Sequence, residues 1–328
     1  HFNQRLPYEA VYYFNAKDYP LACPLFQNWF YTALGQYQEG YAFLAQTCLF
    51  FTPLLVLLEM KPRVKALFAL CCAALILFFF KTSLFNSLYV DTALATVFAG
   101  NLMAYYLLKH RYKALMLLPS VALLPLIKQV GSLLALITII LFMINELRYY
   151  YQDQRSRRAI WIVCIVLPVG VALSHYSWVW HVQAIQATPL FDRSHITFNL
   201  LFDDHSRHIQ VRHLFWQYFV FGVPRLHQVL NIAMPYWAKT YSIYFSPLFW
   251  CVINGLIWLK AVKYLKIKRF ETHSFYSALF IGFLVYALGL LLMYLKSFSI
   301  WESLKLASMG RYMGIYLMAR SNGTLWFR

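Results

Sequence analysis

Acid is scarce in this chain: 12 Asp and Glu stand against 29 Lys and Arg in 328 residues, a formal net charge of +17. Charge of either sign makes up only 12% of the sequence, while 61% is hydrophobic and mean hydropathy is +0.53. There is no Gly/Ser linker and no internal repeat, so nothing marks a separate soluble domain. Six cysteines are present, Cys23, Cys48, Cys71, Cys72, Cys164 and Cys251, and none stands at a metal-type spacing. Five lie in apolar runs, where a free thiol behaves as a small hydrophobe. No metal site and no cofactor motif is read from these residues. No signal peptide precedes His1, and the chain stops at Arg328 inside an apolar run. The expectation is a fragment, truncated at both ends.

The sequence is rich in long apolar runs. A membrane-crossing helix needs roughly 20 mostly apolar residues. Spans are read near 41–60, 64–80, 88–108, 112–127, 130–147, 159–180, 240–262 and 274–296, with a last one beginning near 312. The run at 112–127 is short and holds Pro119 and Pro125, so tilt, local bilayer thinning or partial re-entry is expected there. The expected fold is all-α: a polytopic transmembrane bundle of about nine spans, forming one domain over 1–328.

The basic residues set its orientation. Lys61 to Lys65, Lys109 to Lys113, Arg148 to Arg158 and Lys260 to Arg269 hold fifteen of the 29 Lys and Arg, all in alternate connections. Short basic loops stay cytoplasmic. This pattern also removes nucleic acid from the list of partners, because the positive charge sits beside spans, where it orients insertion and meets anionic lipid headgroups. The remaining polar chemistry falls on the other, outer side.

Two outer segments carry it. Residues 1–40 hold Glu9, Lys17 and Asp18, then the amphipathic stretch Leu25 to Tyr31, read as a helix lying on the membrane surface. Residues 181–239 form the one long outer loop. It holds Asp192, Asp203, Asp204, four arginines and seven histidines if His175 at its edge is counted. A lid over a membrane-level site is the expectation, since long loops of this kind are usually functional or disordered. Asp204, His205, His208 and Arg212 would share a helix face, which suits a solvated lid better than a metal site.

Single residues stand out against this background. Asp91 opens a span in Tyr89-Val90-Asp91-Thr92. An ionisable group at membrane depth usually faces a cavity or a partner, and Asp also suits the first turn of a helix. Both readings stay open. Lys128 lies between two spans, on the outer side against the basic trend; it is either an anion ligand or a side chain snorkelling to the interface. Lys81 is similar. Arg311, in Gly310-Arg311-Tyr312-Met313, presents a planar fork matched to phosphate oxygens, or anchors the span at the interface. Asp18-Tyr19-Pro20-Leu21-Ala22-Cys23-Pro24-Leu25 combines an acid with two prolines just before the amphipathic stretch.

These segments resemble the GT-C superfamily of integral-membrane glycosyltransferases, in the bacterial branch related to protein mannosyltransferases and to aminoarabinose transfer onto lipid A. Asp18 to Leu25 is similar to the family's "YPPL-x-P-L" segment, with Leu21 in place of the second proline. Tyr89-Val90-Asp91 is similar to the acidic start of a later span, and Arg311-Tyr312 to the "RY" that follows the last large outer loop. The likeness covers about residue 10 to 320. It implies an inverting transfer of sugar from a polyprenyl-phosphate donor to a lipid, glycan or protein acceptor, at the outer face of a bacterial inner membrane. It implies catalytic carboxylates among Glu9, Asp18 and Asp91, and donor-phosphate contacts from Lys81, Lys128, Arg311 and Tyr312. A lipid-phosphate leaving group needs no nucleotide, so the lack of a glycine-rich phosphate loop agrees with it. The family's base usually precedes the proline segment, where this chain offers only Glu9. A transporter or flippase, an O-antigen-type ligase or polymerase, and a non-enzymatic assembly subunit remain open alternatives.

Overall fold

The computed structural model describes residues 20–53, 55, 90–108, 113–153, 160–186, 197–222, 246–264 and 269–323. Among these the backbone is helix and connecting turn, with no strand, so the all-α reading holds. We number the described α-helices α1 (Ala22–Leu34), α2 (Glu39–Phe51), α3 (Val90–Leu107), α4 (Lys113–Ile127), α5 (Gly131–Asp153), α6 (Leu167–Ala184), α7 (Ser206–Phe221), α8 (Pro247–Tyr264), α9 (Arg269–Lys296), α10 (Ile300–Leu304) and α11 (Met309–Gly323). A π-helical turn, Ile162–Val166, leads into α6, and a 3-10 turn, Phe198–Leu201, precedes α7.

Two stretches, Val163–Ala184 and Tyr276–Lys296, are long and apolar enough to cross a membrane. Lys113–Ile127 and Gly131–Leu147 are shorter apolar helices. The span read at 64–80 lies outside the described residues, as do most of the basic loops. The short run at 112–127 folds as one helix that contains both prolines. Pro125 cannot donate a backbone hydrogen bond, and the helix stops two residues later. The amphipathic stretch is helix α1. It buries Cys23, exposes Leu25 and Trp29, and ends at Gly35, whose φ of 69° is left-handed and suits glycine.

The core forms where α3 packs against α11, α4, α5 and α2, while α9 packs on α5 and α11, and α6 on α4 and α5. Phe98, Phe283, Tyr286 and Tyr316 meet at its centre, with ring centroids 5.3, 5.6 and 5.4 Å from Tyr316. Offset aromatic pairs of this kind each add about 1 kcal/mol beyond their buried area. The outer face of α6 is the reverse. Val169, Leu173, Tyr176 and Trp180 are exposed at helical spacing, while Leu167, Val171 and Trp178 are buried.

Two polar clusters lie toward opposite ends of α3. At one end Asp91 on α3 meets Lys128, between α4 and α5. At the other, the Tyr105 hydroxyl on α3 donates to the Glu146 carboxylate on α5 at 2.5 Å. The Lys113 ammonium, at the start of α4, sits 3.9 Å above the Tyr105 ring. Lys113 therefore belongs to the end opposite Asp91.

Candidate functional site

The turn after α4 builds the site. Gly131 opens α5, and its N–H donates to the Lys128 carbonyl at 2.8 Å. A Cβ at Gly131 would overlap the Leu124 carbonyl and press on Leu94 of α3. Glycine thus lets the tight turn close against both neighbours. That closure points Lys128 at α3. Its Nζ lies 2.5 Å from Asp91 Oδ1, and 4.4 Å from the centre of the Tyr312 ring. Arg311 Nη1 stands 3.6 Å from Asp91 Oδ2. Asp91 is 2% exposed, Lys128 12% and Arg311 24%, so the carboxylate lies innermost with the cations grading outward.

Three segments that are 37 residues or more apart in sequence thus converge on Asp91. Asp91 stands in the first turn of α3, where an acid suits the helix dipole, and its oxygens also face two cations. Lys128 and Arg311 set two cations beside this one carboxylate, partly shielded from water. Such a cluster binds an anion that displaces or shares the carboxylate. Taking away either partner of a buried pair strands the other charge, at about 3–5 kcal/mol.

The support around Arg311 comes from residues that give no signal in the sequence. The Arg311 guanidinium also donates to Ser308 Oγ. Leu306 and Ser308, just before α11, both hold left-handed φ, at 46° and 63°. For non-glycine residues this conformation costs roughly 1–3 kcal/mol each, and such strain clusters at functional sites. The turn is braced by the Tyr294 hydroxyl, which donates to the Ala307 carbonyl. Buried Tyr286 donates to the Tyr312 carbonyl at 2.9 Å and fixes the first turn of α11. Ordinary-looking tyrosines and a serine do this work, and only the packing reveals it.

Of the other sequence candidates, Glu9, Asp18 and Lys81 lie outside the described residues. Pro20, next to Asp18, is described and buried at the approach to α1. In the long loop, α7 begins at Ser206 with His205 as its N-cap; the His205 and His208 rings are neighbours as expected, with centroids 5.5 Å apart, while Asp204 lies ahead of the helix. His208 pairs with Asp203, at 2.8 Å from Nδ1 to Oδ2, and Arg212 donates to the Asp203 carbonyl at 2.7 Å. The His205 N–H, followed by the His208 ring, holds the Asp203 carboxyl below its ordinary range. The reason is local chain geometry: the acid one residue earlier is the one that can turn back onto the helix start. Among the described residues no group of three His, Cys, Asp or Glu is close enough to hold a metal ion. Arg207 ties α7 to the site's own scaffold, donating to the Phe298 carbonyl at 2.7 Å. The Phe298 ring lies 6.3 Å from that of Tyr312.

Neither a family model, nor a curated protein, nor a solved structure matches this chain.

Proposed function

We propose that the chain is a multi-span transferase of GT-C type in a bacterial inner membrane. It moves a sugar from a polyprenyl-phosphate donor to a hydroxyl of a lipid, glycan or protein acceptor. The observation that carries this is the convergence of Lys128 and Arg311 on buried Asp91 at one end of the bundle. The exposed apolar stripe of α6 suits contact with lipid, and a nine-span count fits the apolar runs of the whole sequence.

In this reading Asp91 holds two cations in place until the donor phosphate arrives between them. The acceptor oxygen attacks the anomeric carbon as the bond from that carbon to the phosphate oxygen breaks. The electron pair leaves on the lipid phosphate, where Lys128 and Arg311 stabilise it. The acceptor proton passes to a base. Tyr312, under Lys128, gives the ammonium an aromatic face and restricts where it can reach.

Sugar transfer from a polyprenyl-phosphate donor by the full-length protein, with expression matched, is the test. Arg311→Ala should lose about 2–4 kcal/mol of transition-state stabilisation, the scale of one preorganised donor. Arg311→Lys should also be impaired, because lysine keeps the charge and loses the fork. Wild-type rates in both variants would take Arg311 out of the site.

One observation favours a second reading. Glu146, Lys113 and Tyr105 form a buried ionisable group at the opposite end of the same helices, as a transporter for lipid-linked or small solutes would use. Uptake or flipping of a labelled lipid-linked sugar without any transfer would select it.

A further inference from the structure

One titratable side chain beside the cluster has no place in the scheme above. Ser132 lies one turn beyond Lys128, in the first turn of α5, and its Oγ is 2.9 Å from His175 Nδ1 on α6. His175 is half-buried. Its Nε2 has no hydrogen-bond partner among the described residues. The pair stands at the Asp91 end of the bundle, because Ser132 lies in the first turn of α5, just after Lys128, and His175, near the middle of α6, meets it there.

We infer that His175 is the proton acceptor for the incoming hydroxyl, with Ser132 as the residue that orients it; this rests on the glycosyl-transfer reading. The chemistry favours it over Asp91, whose two oxygens already face Lys128 and Arg311. A hydroxyl is a partner for either state of the ring. Ser132 Oγ accepts from Nδ1–H, which leaves the Nε2 lone pair bare for the acceptor proton. Once Nε2 is protonated, the same Nδ1–H···Oγ bond persists, so no rearrangement accompanies the transfer. The step balances: the acceptor O–H proton goes to Nε2, the new C–O bond forms at the sugar, and the electron pair of the broken C–O bond stays with the lipid phosphate.

The charged and titratable groups around the ring are few. Of the elements packed against α6, α4 carries Lys113 at its far end. Lys128 stands just ahead of α5, and Glu146 toward its far end. The π-helical turn carries Cys164, and α6 itself adds Tyr176 and His181. Lys128 is the charged group nearest to Ser132 in sequence, four residues ahead of it.

The experiment is transfer by the full-length protein in proteoliposomes, with a polyprenyl-phosphate-linked sugar and a soluble hydroxyl acceptor, across a pH series. Wild type should lose rate on the acid side as the imidazole takes a proton. His175→Gln should lower kcat by about a hundredfold or more, leave the donor KM unchanged and flatten the acid limb. Ser132→Ala should lower kcat by less and keep the limb. Added imidazole should restore part of the rate to His175→Ala, in proportion to its neutral form. Should His175→Gln fail to fold, carbethoxylation of the wild-type ring decides. The ring should react with diethyl pyrocarbonate, and saturating acceptor together with the lipid-linked donor should protect it; an unreactive or unprotected ring overturns the proposal. A His175→Gln enzyme with wild-type kcat and acid limb, alongside an inactive Arg311→Ala, overturns the base and leaves glycosyl transfer standing. A wild-type protein that transfers nothing overturns both.

Discussion

Asp91, Lys128 and Arg311 differ in what their removal leaves behind. Lys128→Met strands a carboxylate that is 2% exposed, with only the more distant Arg311 to answer it. The expected loss of stability is about 3–5 kcal/mol. Asp91→Asn on the same background removes the stranded charge, so the double variant should recover most of that loss. Thermal unfolding in detergent measures it as a double-mutant cycle. Recovery of stability without recovery of sugar transfer is the outcome that separates a working site from a mere helix clamp. A double variant as unstable as Lys128→Met would mean that the pair is not coupled as the geometry requires. Charged side chains at membrane depth stand out in the sequence because they are costly there, so Asp91, Lys128 and Arg311 were each legible as single residues. Their meeting was not, since nothing in the chain's local pattern says which of several outer charges come together. Ser132, Tyr286 and Ser308 were silent because serine and tyrosine cost little wherever they fall.

At the level of helices, periodicity and length carried the reading. Proline and glycine then decided the details, as Pro125 and Gly131 do in ending α4 and closing the turn that presents Lys128. Helix starts in the long loop were the least legible. A face shared by Asp204 and His208 was expected, whereas the chain bends back so that Asp203 meets His208. That contact sets a pH dependence. The Asp203 carboxyl is held below its ordinary range by the His205 N–H and by His208. A folded-state value below the unfolded one means that the carboxylate favours the folded loop at neutral pH. That contribution disappears as pH falls through the lowered value. Once the intrinsic pH dependence of amide exchange is divided out, protection over Ser206–Phe221 should accordingly fall more in wild type than in Asp203→Asn as pH drops from about 5 to about 2. Equal acid sensitivity in the two would show that Asp203 does not secure the start of α7.

Among the described residues, two polar clusters sit at opposite ends of α3. Asp91 and Lys128 mark one end, Tyr105, Glu146 and Lys113 the other. The count of Lys and Arg in alternate connections puts the basic loops on one side by loop order alone, which the labelling described next tests. The number of spans was less legible. Length and apolarity single out Val163–Ala184 and Tyr276–Lys296 among the described helices, whereas α4 is short and carries two prolines. Sidedness can be tested without knowing the reaction. Single cysteines are introduced as His110→Cys, Asp153→Cys, Lys266→Cys, His195→Cys and Lys305→Cys, and labelling is read above the background of the native thiols. In intact cells a membrane-impermeant thiol reagent should spare the first three and modify the last two. Permeabilising the membrane should expose the first three, which controls for burial. Labelling of residues 110, 153 and 266 in intact cells would put the Asp91 end in the cytoplasm. An outward-facing lipid-phosphate site would then be untenable, because the cations that define it would face the wrong compartment.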